Sequence, residues 1–587
     1  MNTHAFGKND VEGAFDLDLE GTTDVFLSKI RRSGAKPVFH LSKEATPLVS
    51  FGGVGQIVGD LARVQGEEET NFVGVILPKY GFLDQSRISP LAKFSFVIGR
   101  RKVSGKIFHA LRENVHFVLI GPPSMAPTLW SSSRVEDSYN CPKGFKPQDR
   151  DLYFTFVASK IVDWSLVASG RHSVLHAHGA TNAPILWFLK NRSNMTPQLR
   201  TVYTMHDYDS EPGISYTVSK LLLYERSSHS CEGSLRLKSR SDVGFGCSTR
   251  FSPAVHPRCI GSSFVVAAYF ASCADYLTTV SSGMISELLN SNPAMANLIL
   301  DFTQEQRIIP IRNWVSDAVW DDARKIIPLT DPKEAKLRAK MRVADLYSEL
   351  RQKGKRFHEK QPGLCFVGWM GRFEENKGVN FLPAIMRSSC QVGCAFVTMG
   401  YSTNSNHVKH FDKILRKLEA LAEEMECPLL VVPSKSAQLG RGELLRAALD
   451  VVVVPSLREA FGLVAAEGLA FASIPVVSSV GGLPEIISPV HKFRNWTGLE
   501  FPLFPHSEKL TSKAVSSAVS EAILLYRQAL ECENLDGLLQ RLILSTPLKH
   551  HTSNSKLTYD WLYRTSAKVN RTLASGCSAA QGLAPQI

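Results

Sequence analysis

Two glutamates, Glu459 and Glu467, stand eight residues apart in PSLREAFGLVAAE, residues 455 to 467, directly after the apolar run VVVV. A helix is expected to begin near Phe461, with Gly462 between the two acids. A carboxylate accepts hydrogen bonds from hydroxyls, and a helix start offers backbone N–H groups without intrahelical partners. This arrangement can set Glu459 beside a sugar and Glu467 near ribose hydroxyls. Acids at this spacing also occur on ordinary surface helices, but seldom straight after a buried strand.

A second chemical feature is GRFEENKG, where Arg372 and Lys377 share one strand-to-helix connection after CFVGWM. Arginine offers forked donors to phosphate oxygens and lysine a compact charge, so the pair suits a diphosphate leaving group. Gly481 and Gly482 follow the strand IPVVSS, and Gly52, Gly53 and Gly55 follow the first strand; both are flexible turns before helix starts, where an anion fits. Neither matches the G-x-G-x-x-G fingerprint, and a glycine-rich turn alone is more often only a turn. His206 closes the strand TVYTMH, where its imidazole can donate to a sugar hydroxyl; His178 closes SVLHAH and reads as a structural residue.

These residues need strands to carry them. Short β-branched runs recur in the first half, KPVFHL, FVGVILP, VHFVLIG, SVLHAH and RTVYTMH, with helical patterns such as Ile57-Val58-Leu61 and Ile185-Leu186-Leu189 between them. After the charged stretch from Lys333 to Lys360 a second series begins: LCFVGWMG, CAFVTMG, PLLVVPS, VVVVPS and IPVVSS. A helix carrying Phe411, Ile414, Leu415, Leu418, Leu421 and Met425 on one stripe covers the second sheet. The expected architecture is α/β, two doubly wound domains over residues 36–335 and 336–565. Tails of 1–35 and 566–587 flank them, and a Ser-, Arg- and Gly-rich insertion occupies 208–262. Open sheets of this kind bind ligands at the carboxyl ends of their strands, so an interdomain cleft is the expected site.

With 587 residues the chain exceeds one hydrophobic core, and 44% hydrophobic with 21% charged residues is ordinary for globular domains. Its net charge of +12 comes without a dense basic block interleaved with aromatics, so no nucleic-acid partner is expected. The longest apolar runs are far short of the roughly 18 residues of a membrane span. The N-terminus lacks an apolar signal core and is too acidic for a typical transit peptide, which points to the cytoplasm. Eleven scattered cysteines, with Cys390 and Cys394 lacking a second ligand pair, suggest reduced thiols rather than disulfides or zinc.

From residue 36 to 565 the chain resembles the starch and glycogen synthases, retaining glycosyltransferases built from two facing Rossmann-like domains (GT-B type). The resemblance rests on HLSKEATPLVSFGGVGQIVGDLARV, VILPKYGFLD, HAHGATNAPILWFLK, TVYTMHD and ADYLTTVSSGMISELL. It is most specific in GRFEENKG, PSLREAFGLVAAEGLA and VGGLPEII. It implies transfer of glucose from ADP-glucose or UDP-glucose to the nonreducing end of an α-1,4-glucan, without metal or other cofactor, in a site assembled by domain closure. By the same resemblance Arg372 and Lys377 hold the donor diphosphate, Glu459 and Phe461 to Leu463 the glucose, His206 its hydroxyls, and Glu467 the ribose.

The chain departs from the family at three places. Ser50 stands where the glycine loop has lysine, Gly179 and Ala180 replace the last two residues of H-D-W, and EAFGL replaces E-P-C-G-L. Two other readings therefore stay open: a noncatalytic glucan-binding or initiation factor of the same fold, and a transferase with a non-glucan acceptor.

Overall fold

The computed structural model describes residues 16–19, 30, 34–50, 52–98, 101–133, 141–190, 199–208, 215–217, 263–265, 270–291, 293–349, 364–401, 405–432, 442–547, 558–559 and 561–564. Contacts divide the chain into two compact units. The first is drawn from Met1–Thr279, Leu288–Ile309 and Lys556–Ile587, the second from Val280–Glu287 and Pro310–Ser555. The sequence pattern sets its boundary after residue 335; the structure changes units at residue 310 and returns the C-terminal segment to the first unit.

The first unit contains β1 (Asp16–Leu19), β2 (Lys36–Leu41), β3 (Asn71–Pro78), β4 (Ser89–Ile98), β5 (Arg101–Arg112), β6 (Val115–Ile120), β7 (Ser173–His178), β8 (Leu199–Met205), β9 (Ser215–Thr217), β10 (Ser263–Val265), β11 (Tyr276–Thr279) and β12 (Ile308–Pro310). Among the described residues, ten of them form one sheet in the order β1-β4-β5-β6-β3-β2-β7-β8-β11-β12. From β6 to β11 every neighbouring pair is parallel. The chain runs outward through β3 and β6 on one side and through β8 and β11 on the other, so the order reverses between β2 and β7. Ligands of such sheets sit at that reversal. The central strands are apolar and buried almost throughout, as parallel strands covered on both faces must be.

Two sequence expectations change here. Residues 16–19, read as part of an N-terminal tail, form the edge strand β1, antiparallel to β4 with Leu17 opposite Phe94. An open edge strand presents unpaired backbone groups, and β1 covers those of β4. The proposed insertion opens and closes on β9 and β10, which pair with each other; residues 218–262 and the tail 566–587 lie outside the described residues.

The second unit repeats the plan in pure form. Its strands β13 (Phe366–Arg372), β14 (Ala395–Tyr401), β15 (Leu429–Val432), β16 (Val451–Val454), β17 (Ile474–Ser478) and β18 (Leu499–Phe501) lie in the order β15-β14-β13-β16-β17-β18, all parallel. The order reverses between β13 and β16. Phe411, Ile414, Leu418 and Leu421 are buried along the helix Ser405–Glu424, as its stripe predicts. Phe411 stacks on Phe373, which ties this helix to the connection after β13.

The expectation of reduced thiols fails at one pair: Cys390 is disulfide-bonded to Cys427 across a sequence separation of 37. The end of helix Leu382–Gln391 and the approach to β15 meet only in three dimensions, so spacing along the chain gives no sign of the pair. No helix among the described residues is long and apolar enough to cross a membrane.

Candidate functional site

In the second unit the two loops at the strand-order reversal meet. After β13 the chain makes a short 3-10 turn, Glu375–Lys377, and Gly378 follows in the left-handed region at φ 70°. A side chain at 378 would fall on the Pro455 carbonyl, so glycine lets this turn lie directly against the loop after β16. The Leu457 N–H donates to the Asn376 carbonyl at 2.8 Å, and the Trp369 indole N–H donates to the Lys377 carbonyl at 3.3 Å. With both backbones fixed, Lys377 Nζ reaches Glu459 Oε2 at 2.7 Å, and Ser456 Oγ donates to the same oxygen at 3.0 Å.

Lys377 and Glu459 are each about one-fifth exposed, 21% and 17%, which leaves them reachable but poorly screened. Arg372, at the end of β13, is 43% exposed and pairs with Glu374 at 3.0 Å. Gly462 takes φ 104° and caps the helix Leu463–Ala470, its carbonyl accepting from the Ala465 N–H at 2.9 Å. Glu467, one helical turn farther in, is buried and accepts from Arg446 Nε at 3.0 Å.

The second glycine pair is more enclosed. The Gly482 N–H donates to the Glu459 carbonyl at 3.1 Å, and the Gly481 N–H donates to the Glu287 carboxylate. Gly283, on the helix Ser282–Ser291, packs so closely that a side chain there would strike the Gly481 carbonyl. Here the glycines permit close packing behind the Glu459 loop, and their N–H groups already have partners.

In the first unit, Gly53 begins the helix Gly53–Gly66, which follows β2 after the connection 42–52, with Gly52 as its cap and Gly55 in its first turn. The buried Glu44 carboxylate accepts from the Gly52 N–H at 2.9 Å, and it would be 2.9 Å from a side chain at 55. A carboxylate of the chain itself thus occupies the helix start where the sequence suggests a phosphate.

His206, itself half-buried, follows β8 directly and stands at one end of a line of imidazoles whose other members are buried. Its Nε2 meets His178 Nδ1 at 3.0 Å, His178 Nε2 meets His40 Nδ1 at 3.0 Å, and His40 Nε2 lies 2.8 Å from Gln65 Oε1. His176, beside them, is bonded to the Tyr563 hydroxyl at 2.7 Å and to Thr204 Oγ1. His40, His176 and His178 place nitrogens within 4.8 Å of one another, but each of those ring nitrogens already has one of these partners.

Burial pushes the His40 and His206 pKa values from 6.5 down to about 4, and holds His176 and His178 well below their usual range. Between about 4 and 6.5 the unfolded chain binds more protons than the folded one. Stability conferred by neutral imidazoles is therefore complete above pH 6.5 and lost as pH falls toward 4. Urea unfolding between pH 7 and 5 is expected to show this decline, with a shallower slope in His206→Gln because one fewer imidazole must be charged. Equal slopes would contradict the assignment.

Several of these residues escape a reading by motif. Ser456 and Glu44 lie inside recognised segments but have their partners only once the loops are folded, and Arg446 and Gln65 lie outside the motifs. The histidine line did leave a trace: His176 and His178 alternate on β7, and the parallel register sets His40 opposite His176.

The second unit is thus a doubly wound sheet with a Lys–Glu pair at its strand-order reversal, and known glycosyltransferases are similar to the chain. The starch synthase catalytic domain matches residues 37–299, and the glycosyl transferases group 1 domain matches residues 351–502. A probable starch synthase 4 of Arabidopsis thaliana is 22% identical over 77% of this chain and 40% of its own length. A glycogen synthase of Chlamydia pneumoniae is 23% identical over 77% of this chain and 86% of its own. The solved catalytic domain of starch synthase IV from Arabidopsis thaliana, bound to ADP and acarbose, superposes with a TM-score of 0.68 at 18% identity, covering 90% of this chain and 99% of that one. Over these two matched segments the chain is similar to the starch and glycogen synthases, which are glycosyltransferases.

Proposed function

We propose that the protein is a retaining glucosyltransferase that moves glucose from ADP-glucose or UDP-glucose to the nonreducing end of an α-1,4-glucan. The observation that carries this reading is the Lys377–Glu459 pair, joined at the strand-order reversal of the second unit. Breaking the bond between glucose and diphosphate builds negative charge on the departing phosphate and positive charge on the sugar. A lysine and a carboxylate held side by side stabilise both.

Arg372 supplies a second cation for the diphosphate, and Glu459 with the backbone of Phe461 to Leu463 receives the glucose. Glu467, oriented by Arg446, takes the ribose, and His206 contacts a sugar hydroxyl. Gly481 and Gly482 support the Glu459 loop from behind. Gly52, Gly53 and Gly55 keep a place in this reading as the close turn that seats the Glu44 carboxylate.

Because lysine and arginine supply the positive charge, transfer is expected to continue at an unchanged rate after dialysis against EDTA; a loss restored by Mg²⁺ would overturn this part of the proposal. The reading as a whole is tested by incubating the purified chain with each radiolabelled nucleotide glucose and a maltooligosaccharide. Chain elongation with an α-linked product supports it. Elongation with inverted linkage, or none with either donor, contradicts it.

A further inference from the structure

The histidine line has a property that no single residue in it possesses. A contact of 3.0 Å between ring nitrogens of two neutral imidazoles holds one hydrogen: two lone pairs would repel, and two hydrogens would collide. Each neutral imidazole has one N–H and one lone pair. The state of one ring therefore dictates the next, and the series Gln65–His40–His178–His206 admits only two arrangements of its hydrogens. His40 is 0% and His178 2% exposed, and burial keeps all members neutral near pH 7.

Gln65, itself fully buried, is the end of the series that is not an imidazole. Its Oε1 faces His40 Nε2 at 2.8 Å, and an amide oxygen only accepts. His40 must then carry its hydrogen on Nε2 and accept at Nδ1 from His178 Nε2–H. His178 in turn accepts at Nδ1 from His206 Nε2–H. This leaves His206 Nδ1 as a lone pair, and that buried atom has no hydrogen-bond partner among the described residues.

We propose that Gln65 sets the tautomer of His206 through His40 and His178, so that His206 offers a hydrogen-bond acceptor to a ligand hydroxyl. Sequence reading makes His206 a donor; the series reverses that polarity. A hydroxyl satisfies the acceptor, whereas a ligand carrying only an ether or carbonyl oxygen at that point would face it with a second lone pair. Gln65 is a positioning residue, separated from His206 by two rings and from the ligand by three. The identity of the hydroxyl as a sugar hydroxyl rests on the proposed glucosyl transfer, but the tautomer does not.

The test is a long-range proton–nitrogen correlation spectrum of the full chain at pH 7 with ¹⁵N-labelled histidine, His206 being assigned by its absence in His206→Gln. The expected result is a single His206 form with hydrogen on Nε2. Hydrogen on Nδ1, or rapid averaging of both forms, would overturn the proposal. In Gln65→Glu the carboxylate still accepts, and the His206 signature should be retained. In Gln65→Leu the anchor is gone, and the two His206 forms should mix; an unchanged single tautomer there would remove Gln65 from the account. The wild-type spectrum decides the polarity even if a variant fails to fold, and none of these readouts depends on transfer activity.

Discussion

Replacing Lys377 with alanine is expected to lower kcat for glucosyl transfer by about 10²–10³-fold, roughly 2.7–4 kcal/mol, the range found when one preorganised stabiliser of developing charge is removed. The lysine backbone is held independently of its side chain, through its carbonyl to Trp369 and through the turn that Gly378 closes. Truncation therefore removes a charge without releasing the loop. Glu459 keeps the Ser456 hydroxyl as a partner, so the carboxylate left behind is not stranded. Lys377→Arg should restore little, because a planar fork does not reproduce a compact ammonium 2.7 Å from Glu459 Oε2. Steady-state kinetics at saturating donor, with thermal unfolding as a control, check this. A kcat close to wild type in a folded variant would remove Lys377 from the reacting machinery.

Gly378→Ala is expected to cost about 2–5 kcal/mol of stability. About 1–2 kcal/mol comes from placing a side chain in the left-handed region, and about 1–3 kcal/mol from overpacking against the Pro455 carbonyl. The only relief is for the Glu375–Lys377 turn to move off the loop that carries Glu459. A displacement near 1 Å in a positioning element can cost about 10²-fold in rate, so the surviving folded protein should also be impaired. Gly393→Ala provides the comparison. Gly393 has φ 68°, yet a side chain there would meet nothing nearer than Arg527 at 3.9 Å. Its cost should be confined to the backbone, and its transfer rate should be that of wild type. Denaturant titration of both variants measures the difference; equal stabilities would refute the close-approach argument.

The parallel strands were legible because burial on both faces leaves continuous β-branched runs, and all five runs read in each half lie in strands of the structure. The antiparallel extension was not. β4 and β5 carry mixed polar and apolar residues, as strands with one exposed face do, and β1 becomes a strand only because β4 needs a partner. The return of Tyr559 and Tyr563 to the first unit, where both rings lie against His176, is likewise invisible to local pattern.

At the candidate site, residue types and their places at strand ends could be read directly, since a doubly wound sheet sends successive loops to one edge. Partnerships could not. Lys377 and Glu459 are 82 positions apart, and only the pairing of β13 with β16 makes them neighbours. Gly52, Gly481 and Gly482 show the opposite lesson. A flexible turn at a helix start suits an anion, but Glu44, Glu287 and the Glu459 carbonyl reach their N–H groups within the fold.

The most direct measurement is transfer of labelled glucose to glycogen from ADP-glucose and from UDP-glucose, made side by side with the wild-type chain and Glu459→Ala. The account predicts transfer from at least one donor by the wild type and its loss in the variant. No transfer from either donor by a folded wild-type protein, or transfer undiminished in Glu459→Ala, would contradict it.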